Sequence, residues 1–215
     1  MISPAECARL ADRAYREATY QPGGDVEALL VETPGYLALA GRGSEFDFQD
    51  WLRNFRAYPW HDWQLGMVHK GYLEAARSLW PLVSPRLLDP ADPRPRVLTG
   101  HSAGASIVTV IAGLLCAAGR PPALLCTFGC PRVGFRKLGA MLASGKVCQW
   151  RYVHGNDCVP DHPWPVWGYR HPCDPLRRRD EHTTDARAPD HYMPHYLRIT
   201  GADAPGSVEP SAVLA

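Results

Sequence analysis

Ser102 lies in Thr99-Gly100-His101-Ser102-Ala103-Gly104, a G-x-S-x-G pattern between an apolar run and a long helix-like segment, Ala103 to Ala118. A strand, a tight turn and a helix in that order hold a serine at the tip of a strained bend with its hydroxyl presented outward. Glycine is required at 100 and 104, where a side chain would collide with neighbouring backbone at so sharp a turn. The amide of Ala103, at the start of the helix, is a donor for negative charge developing on an attacked carbonyl. A phosphate-binding turn of similar outline would carry a lysine after the glycines, and none is present. The chemistry on offer is nucleophilic attack by a hydroxyl.

A serine hydroxyl at neutral pH needs a base, and the base needs an acid to hold its tautomer. On proteins with such an elbow the chain order is Ser, then Asp or Glu, then His. Asp157 fits the acid, because an apolar run ends near Val153 and His154-Gly155-Asn156-Asp157 turns off it. Asp161, Asp174, Asp180 and Asp185 stand deeper in irregular sequence. His191 and His195 lie on or beside the last element, while His154, His162, His171 and His182 suit the base by order but less by position. Gly41-Arg42-Gly43-Ser44 follows a short apolar run, and such a glycine-flanked loop brings backbone amides close to a ligand.

The elements that must hold these residues read as α/β. Ser3 to Tyr20 has an N-cap serine, a first-turn proline and an apolar stripe, and is expected to be a helix. Ala28–Glu32 and Tyr36–Ala40, joined by Thr33-Pro34-Gly35, read as a hairpin. Gly71–Val83 is a helix pattern that Pro85 and the proline-rich Asp89 to Pro95 should end. Strand, helix, strand, helix, strand from Val97 to Val153 implies right-handed crossovers and a mostly parallel sheet flanked by helices. Pro160 to Pro189 reads as irregular loop, followed by one short element, Tyr192 to Ile199. Glu45 to Phe55 sets Phe48, Trp51, Leu52 and Phe55 at helical spacing, either a core-packed helix or a lid with an aromatic face.

The 215 residues suit a single domain over 1–200, with 201–215 a poorly ordered tail. Lys+Arg 23 against Asp+Glu 22 gives no large field for nucleic acid, and no apolar run is long enough to span a bilayer. The first residues lack the basic start and apolar run of a signal peptide, and seven cysteines show no zinc-like spacing. A cytoplasmic chain with reduced thiols is the expectation, with export by a route needing no cleaved signal as the exception.

Taken together, Ala40-Gly-Arg-Gly-Ser44, Asp50-Trp51, Val68-His-Lys-Gly-Tyr72, Thr99-Gly-His-Ser-Ala-Gly104, Thr127-Phe-Gly-Cys-Pro-Arg-Val-Gly134, Asn156-Asp-Cys-Val-Pro160 and Asp190-His191 with Tyr196 resemble the class 3 lipase family. The resemblance covers roughly Ala28 to Ile199. It implies an α/β-hydrolase fold, a Ser102-Asp157-His191 triad, and oxyanion donors at Ala103 and Ser44. His191 is preferred to His195 because the family spaces a tyrosine five positions after its histidine. His101, His69 and Arg42 match positions taken as structural. The family implies a carboxylic ester substrate, a lipid ester in particular, with no metal or organic cofactor. Phe46, Phe48, Trp51, Trp164 and Trp167 are expected to meet the acyl chain, and transient contact with a lipid surface is expected. Gly41 stands where the family has Phe, and Ser-Ala-Gly-Ala replaces Ser-Leu-Gly-Gly, so the space beside the serine is expected to be larger. Phospholipase or thioesterase chemistry on the same scaffold, a non-catalytic binding module, and a metal site using Cys158, His162, His171, Cys173 and His182 are the rival readings.

Overall fold

Along the central strands, apolar residues alternate between two cores. Leu37, Leu39, Leu98 and Leu125 enter one buried cluster, while Ala38, Ala40, Val97, Leu124 and Cys126 enter the other. A strand buried on both faces reads as a continuous apolar run, and helices must cover each side. The computed structural model describes residues 2–23, 26–43, 58–181, 183 and 189–202. Ser44, the segment Glu45 to Phe55 with Phe46, Phe48 and Trp51, and the tail beyond Ala202 lie outside the described residues.

The main sheet has seven strands in the order β1-β2-β3-β6-β7-β8-β9. These are β1 (Tyr20–Gly23), β2 (Val26–Glu32), β3 (Leu37–Gly41), β6 (Arg96–His101), β7 (Leu124–Phe128), β8 (Cys148–His154) and β9 (Leu176–Arg178). The pairs from β3 to β9 are parallel, and β1 and β2 add antiparallel strands at one edge. A separate hairpin joins β4 (Pro59–Asp62) to β5 (Gly66–His69). Helices α2 (Lys70–Leu87), α3 (Ser102–Ala117) and α4 (Arg136–Ser144) cover one face. Helices α1 (Pro4–Arg13) and α5 (Met193–Thr200) cover the other. The mostly parallel α/β expectation is met, as are the hairpin of β2 and β3 and the strand-turn-helix around Ser102.

Several boundaries differ. Helix α1 is capped as expected, Ser3 Oγ accepting from the Glu6 amide at 3.1 Å, but it ends at Arg13, and Tyr20 already belongs to β1. Helix α2 runs through both Pro81 and Pro85 to Leu87. A proline in a helix interior costs about 3 kcal/mol, yet both rings here face outward while Leu79, Val83 and Leu87 are fully buried. The inward face decides where the helix stops. The stretch read as irregular loop contributes β9, a three-residue edge strand beside β8.

Candidate active site

Four parallel strands, β3, β6, β7 and β8, lead into the site at their carboxyl ends. Strand β6 ends at His101 and helix α3 begins at Ser102, whose φ of 54° is a left-handed value for a residue with a side chain. Such a conformation costs of order 1–3 kcal/mol and persists only where the surroundings enforce it. The enforcement comes from below: a Cβ on Gly104 would run into the carbonyl of Gly41 and the backbone of Arg42. Strand β3 and helix α3 therefore touch backbone to backbone. The expected space at Gly41 is filled by that contact, so it does not widen a pocket. The same approach carries the chain after β3 past the serine, since a Cβ on Gly43 would stand 3.2 Å from Ser102 Cβ. Ala103, second residue of α3, has its amide free of any intrahelical acceptor.

Asp157 follows the end of β8, and His191 ends a short 3-10 turn, Pro189–His191. His191 Nε2 lies 2.8 Å from Ser102 Oγ, and His191 Nδ1 lies 2.8 Å from Asp157 Oδ2. The carboxylate accepts, so Nδ1 carries the proton and Nε2 presents a lone pair to the serine hydroxyl. The remaining lone pairs of Asp157 take the Val159 amide at 2.9 Å and the hydroxyl of Tyr196. Burial pushes the Asp157 carboxyl up, but the facing His191 and these hydrogen bonds outweigh it and hold the group below the ordinary carboxylate range. His191 is thus faced by a carboxylate kept ionised although wholly buried. Strand β7 ends against the same pair, where Gly129 has φ 58° and an added Cβ would sit 2.8 Å from His191 Cε1 and 2.9 Å from Asp157 Oδ2.

His195, the other candidate base, points elsewhere. Its Nδ1 accepts from Arg198 at 2.7 Å and its ring stacks on His154 at 4.5 Å. Asp180 lies beside it, paired with His154 Nε2 at 3.1 Å and with Arg198 Nε at 3.1 Å. His154, Asp180 and His195 are the one His/Cys/Asp/Glu group among the described residues close enough to share an ion. Of the rival metal set, His182 lies outside the described residues; Cys158, His162, His171 and Cys173 do not converge, and His162 and His171 instead meet the backbone carbonyls of Cys158 and Pro160. Trp164 and Trp167 flank the turn Pro165–Trp167, both half exposed, with Trp164 edge-on to His162. Tyr196, the Val159 amide and Gly129 were not assigned roles from sequence. Tyr196 had a signal in its spacing from His191; the other two act through backbone, which residue type does not reveal.

The model of the family described as "Lipase (class 3)" matches residues 38–167. A secreted mono- and diacylglycerol lipase 1 of Fusarium solani is 33% identical over 140 residues, 63% of this chain. Secreted mono- and diacylglycerol lipase A of Penicillium cyclopium is 40% identical over 75 residues, 35% of this chain and 24% of its own length. The chain spans 41% of the length of the Fusarium protein. Among solved structures, the native Rhizomucor miehei lipase propeptide complex superposes with a TM-score of 0.72 at 18% identity, over 93% of this chain and 80% of that one. A triacylglycerol lipase whose catalytic centre is described as a serine protease triad superposes at 0.61 and 24% identity, over 68% of this chain and 59% of that one. These likenesses carry the α/β-hydrolase fold. The cytoplasmic expectation is corrected here, because the sequence relatives are named as secreted. Of the seven free cysteines, Cys7, Cys126, Cys130 and Cys158 are buried and so shielded from oxidants, while Cys148 is exposed. With its family model covering β3 to the Trp-Pro turn and its fold shared along nearly all its length, the chain belongs to the class 3 lipase family.

Proposed function

We propose that this chain is a serine hydrolase of lipid carboxylic esters, carried by a single domain. The observation that carries the reading is the unbroken relay Ser102–His191–Asp157, with 2.8 Å at each step and the serine on a strained turn. Ser102 is the nucleophile, His191 the general base and then acid, and Asp157 the group that orients the imidazole. Ser102 Oγ bonds to the ester carbonyl carbon while its proton passes to His191 Nε2 and the carbonyl electron pair moves onto oxygen. That oxyanion meets the Ala103 amide, and a second donor at Ser44 suits the course of residues 41–43 beside the serine. The bond to the alcohol breaks as Nε2 returns the proton, and water repeats the sequence on the acyl-enzyme.

Acyl esters of glycerol are the favoured substrate class, supported by the names of the sequence relatives. Contact with a lipid surface is supported by Trp60, Trp63, Trp164, Val166 and Trp167, all half exposed or more. Among the described residues no helix is long and apolar enough to cross a membrane.

The test is p-nitrophenyl ester hydrolysis over a series of acyl lengths, with monoacylglycerol and phospholipid alongside. Wild type should turn over and Ser102→Ala and His191→Ala should lose at least 10³-fold in kcat. A folded Ser102→Ala with wild-type turnover sinks the reading, and preference for phospholipid moves the substrate class.

A further inference from the structure

The base sits on a 3-10 turn of three residues that belongs to no strand, so no ladder fixes its peptide groups. Two successive carbonyls of that turn nevertheless have partners. The carbonyl of His191 lies 2.8 Å from His101 Nε2, and the carbonyl of Asp190 lies 3.2 Å from His154 Nδ1. Both imidazoles are buried, and each comes from an element that carries another member of the relay. His101 precedes Ser102 at the end of β6; His154 ends β8, three residues before Asp157.

We propose that His101 and His154 are positioning residues that hold the base in register with the nucleophile and the acid by gripping these two carbonyls. This rests on the reading of His191 as base.

A carbonyl oxygen only accepts, so the donor nitrogen of each ring is fixed. His101 carries its proton on Nε2, which leaves Nδ1 to accept the Tyr15 hydroxyl at 2.7 Å. Burial, and then the neighbouring His191, drives the His101 pKa down to about 3, so it keeps this neutral form at neutral pH. His154 donates from Nδ1 to the Asp190 carbonyl and from Nε2 to Asp180 Oδ1 at 3.1 Å, a carboxylate itself held by Arg198. Each grip is therefore anchored behind, by Tyr15 from beyond α1 and by Asp180 from beyond β9. The rings also cover the turn: His101 stacks on His191 at 4.7 Å. Asp190 adds a third tie by accepting the Asn156 amide at 2.7 Å. A 1 Å error in the base can cost 10²-fold in rate, which sets the scale of what the grips protect.

The two rings meet their carbonyls through different nitrogens, Nε2 in His101 and Nδ1 in His154, and that gives a test which mere bulk or stability would not reproduce. A glutamine amide nitrogen stands where Nε2 stands, and an asparagine amide nitrogen where Nδ1 stands. His101→Gln and His154→Asn should keep kcat for p-nitrophenyl butyrate within about tenfold. His101→Asn and His154→Gln should lose about 10²-fold in kcat with KM within twofold. Thermal melts of all four separate a lost grip from a lost fold. Side-chain ¹⁵N spectra of the wild type should show His101 as the Nε2–H tautomer. Equal kcat in the two variants of either pair, or an Nδ1–H tautomer at His101, overturns the proposal while leaving the hydrolase intact. A wild type that neither turns over esters nor reacts at Ser102 with a fluorophosphonate overturns the hydrolase reading, and this inference with it.

Discussion

Tyr196 gives its hydroxyl to a carboxylate that no water reaches, and removing that hydroxyl leaves one acceptor site unmatched. Tyr196→Phe should cost about 1–3 kcal/mol, read as a fall of tenfold or more in kcat/KM, with the Asp157 pKa rising from its lowered position. Unchanged kcat/KM would mean the hydroxyl only packs. Gly129→Ala is harsher, because the new Cβ meets both His191 and Asp157 and the backbone there is left-handed. It should abolish turnover in a protein that still binds a fluorescent lipid analogue; full activity would require the two catalytic side chains to move aside unharmed. At this scale sequence was informative about side chains with reactive atoms. Ser102, Asp157 and His191 could be picked by type, order and position, and the family spacing ranked His191 above His195. The Val159 amide, the bound carbonyls of Asp190 and His191, and Gly129 were invisible because their contribution is backbone geometry.

Between elements, the closest approach is that of β3 to α3, backbone against backbone at Gly41 and Gly104. Gly104→Ala should destabilise by about 3 kcal/mol, as overpacking does, seen as a lower urea midpoint, and should relax the strain at Ser102. An unchanged midpoint would show that the elbow can yield. The long parallel strands were legible because both their faces are apolar. Those that went unread lack any such pattern: β1 contains Pro22, β4 is Pro59-Trp-His-Asp62, and β9 is an edge strand with two arginines. Asp62 shows what holds such a segment instead. Its carboxylate takes the amides of Gln64 and Leu65 at 2.9 Å and Arg77 at 2.7 Å. Helix α2 failed the other way, since Pro85 signalled an end that the buried Val83 and Leu87 override.

Among the described residues, burial lowers the pKa of His195 and takes three histidines much further: His69 to about 4, His101 to about 3 and His171 to about 3, the last two lowered further by the neighbouring His191 and Arg151. Their folded values lie below the ordinary 6.5, so the unfolded chain takes up protons first as pH falls. Stability from this source is complete above about pH 6.5 and drains between there and about pH 4, at roughly 1.4 kcal/mol per pH unit for each histidine. Denaturant melts at pH 8, 6, 5 and 4 should show a steep loss below 6, and His171→Gln should flatten the slope by about a third. A melting point constant from pH 7 to 4.5 would contradict the burial of these rings.

Helices α1 and α5 lie side by side, the Arg9 guanidinium reaching the carbonyl of Ala202 at 3.2 Å. A helix early in the sequence thus shares its layer with one late in it. Ser102, its elbow and Asp157 all precede in sequence the turn that supplies His191. Domains generally fold as units, and here this layer is incomplete until α5 docks beside α1. On the proposed reading, a chain halted short of residue 189 would hold Ser102 without the His191 imidazole that faces it.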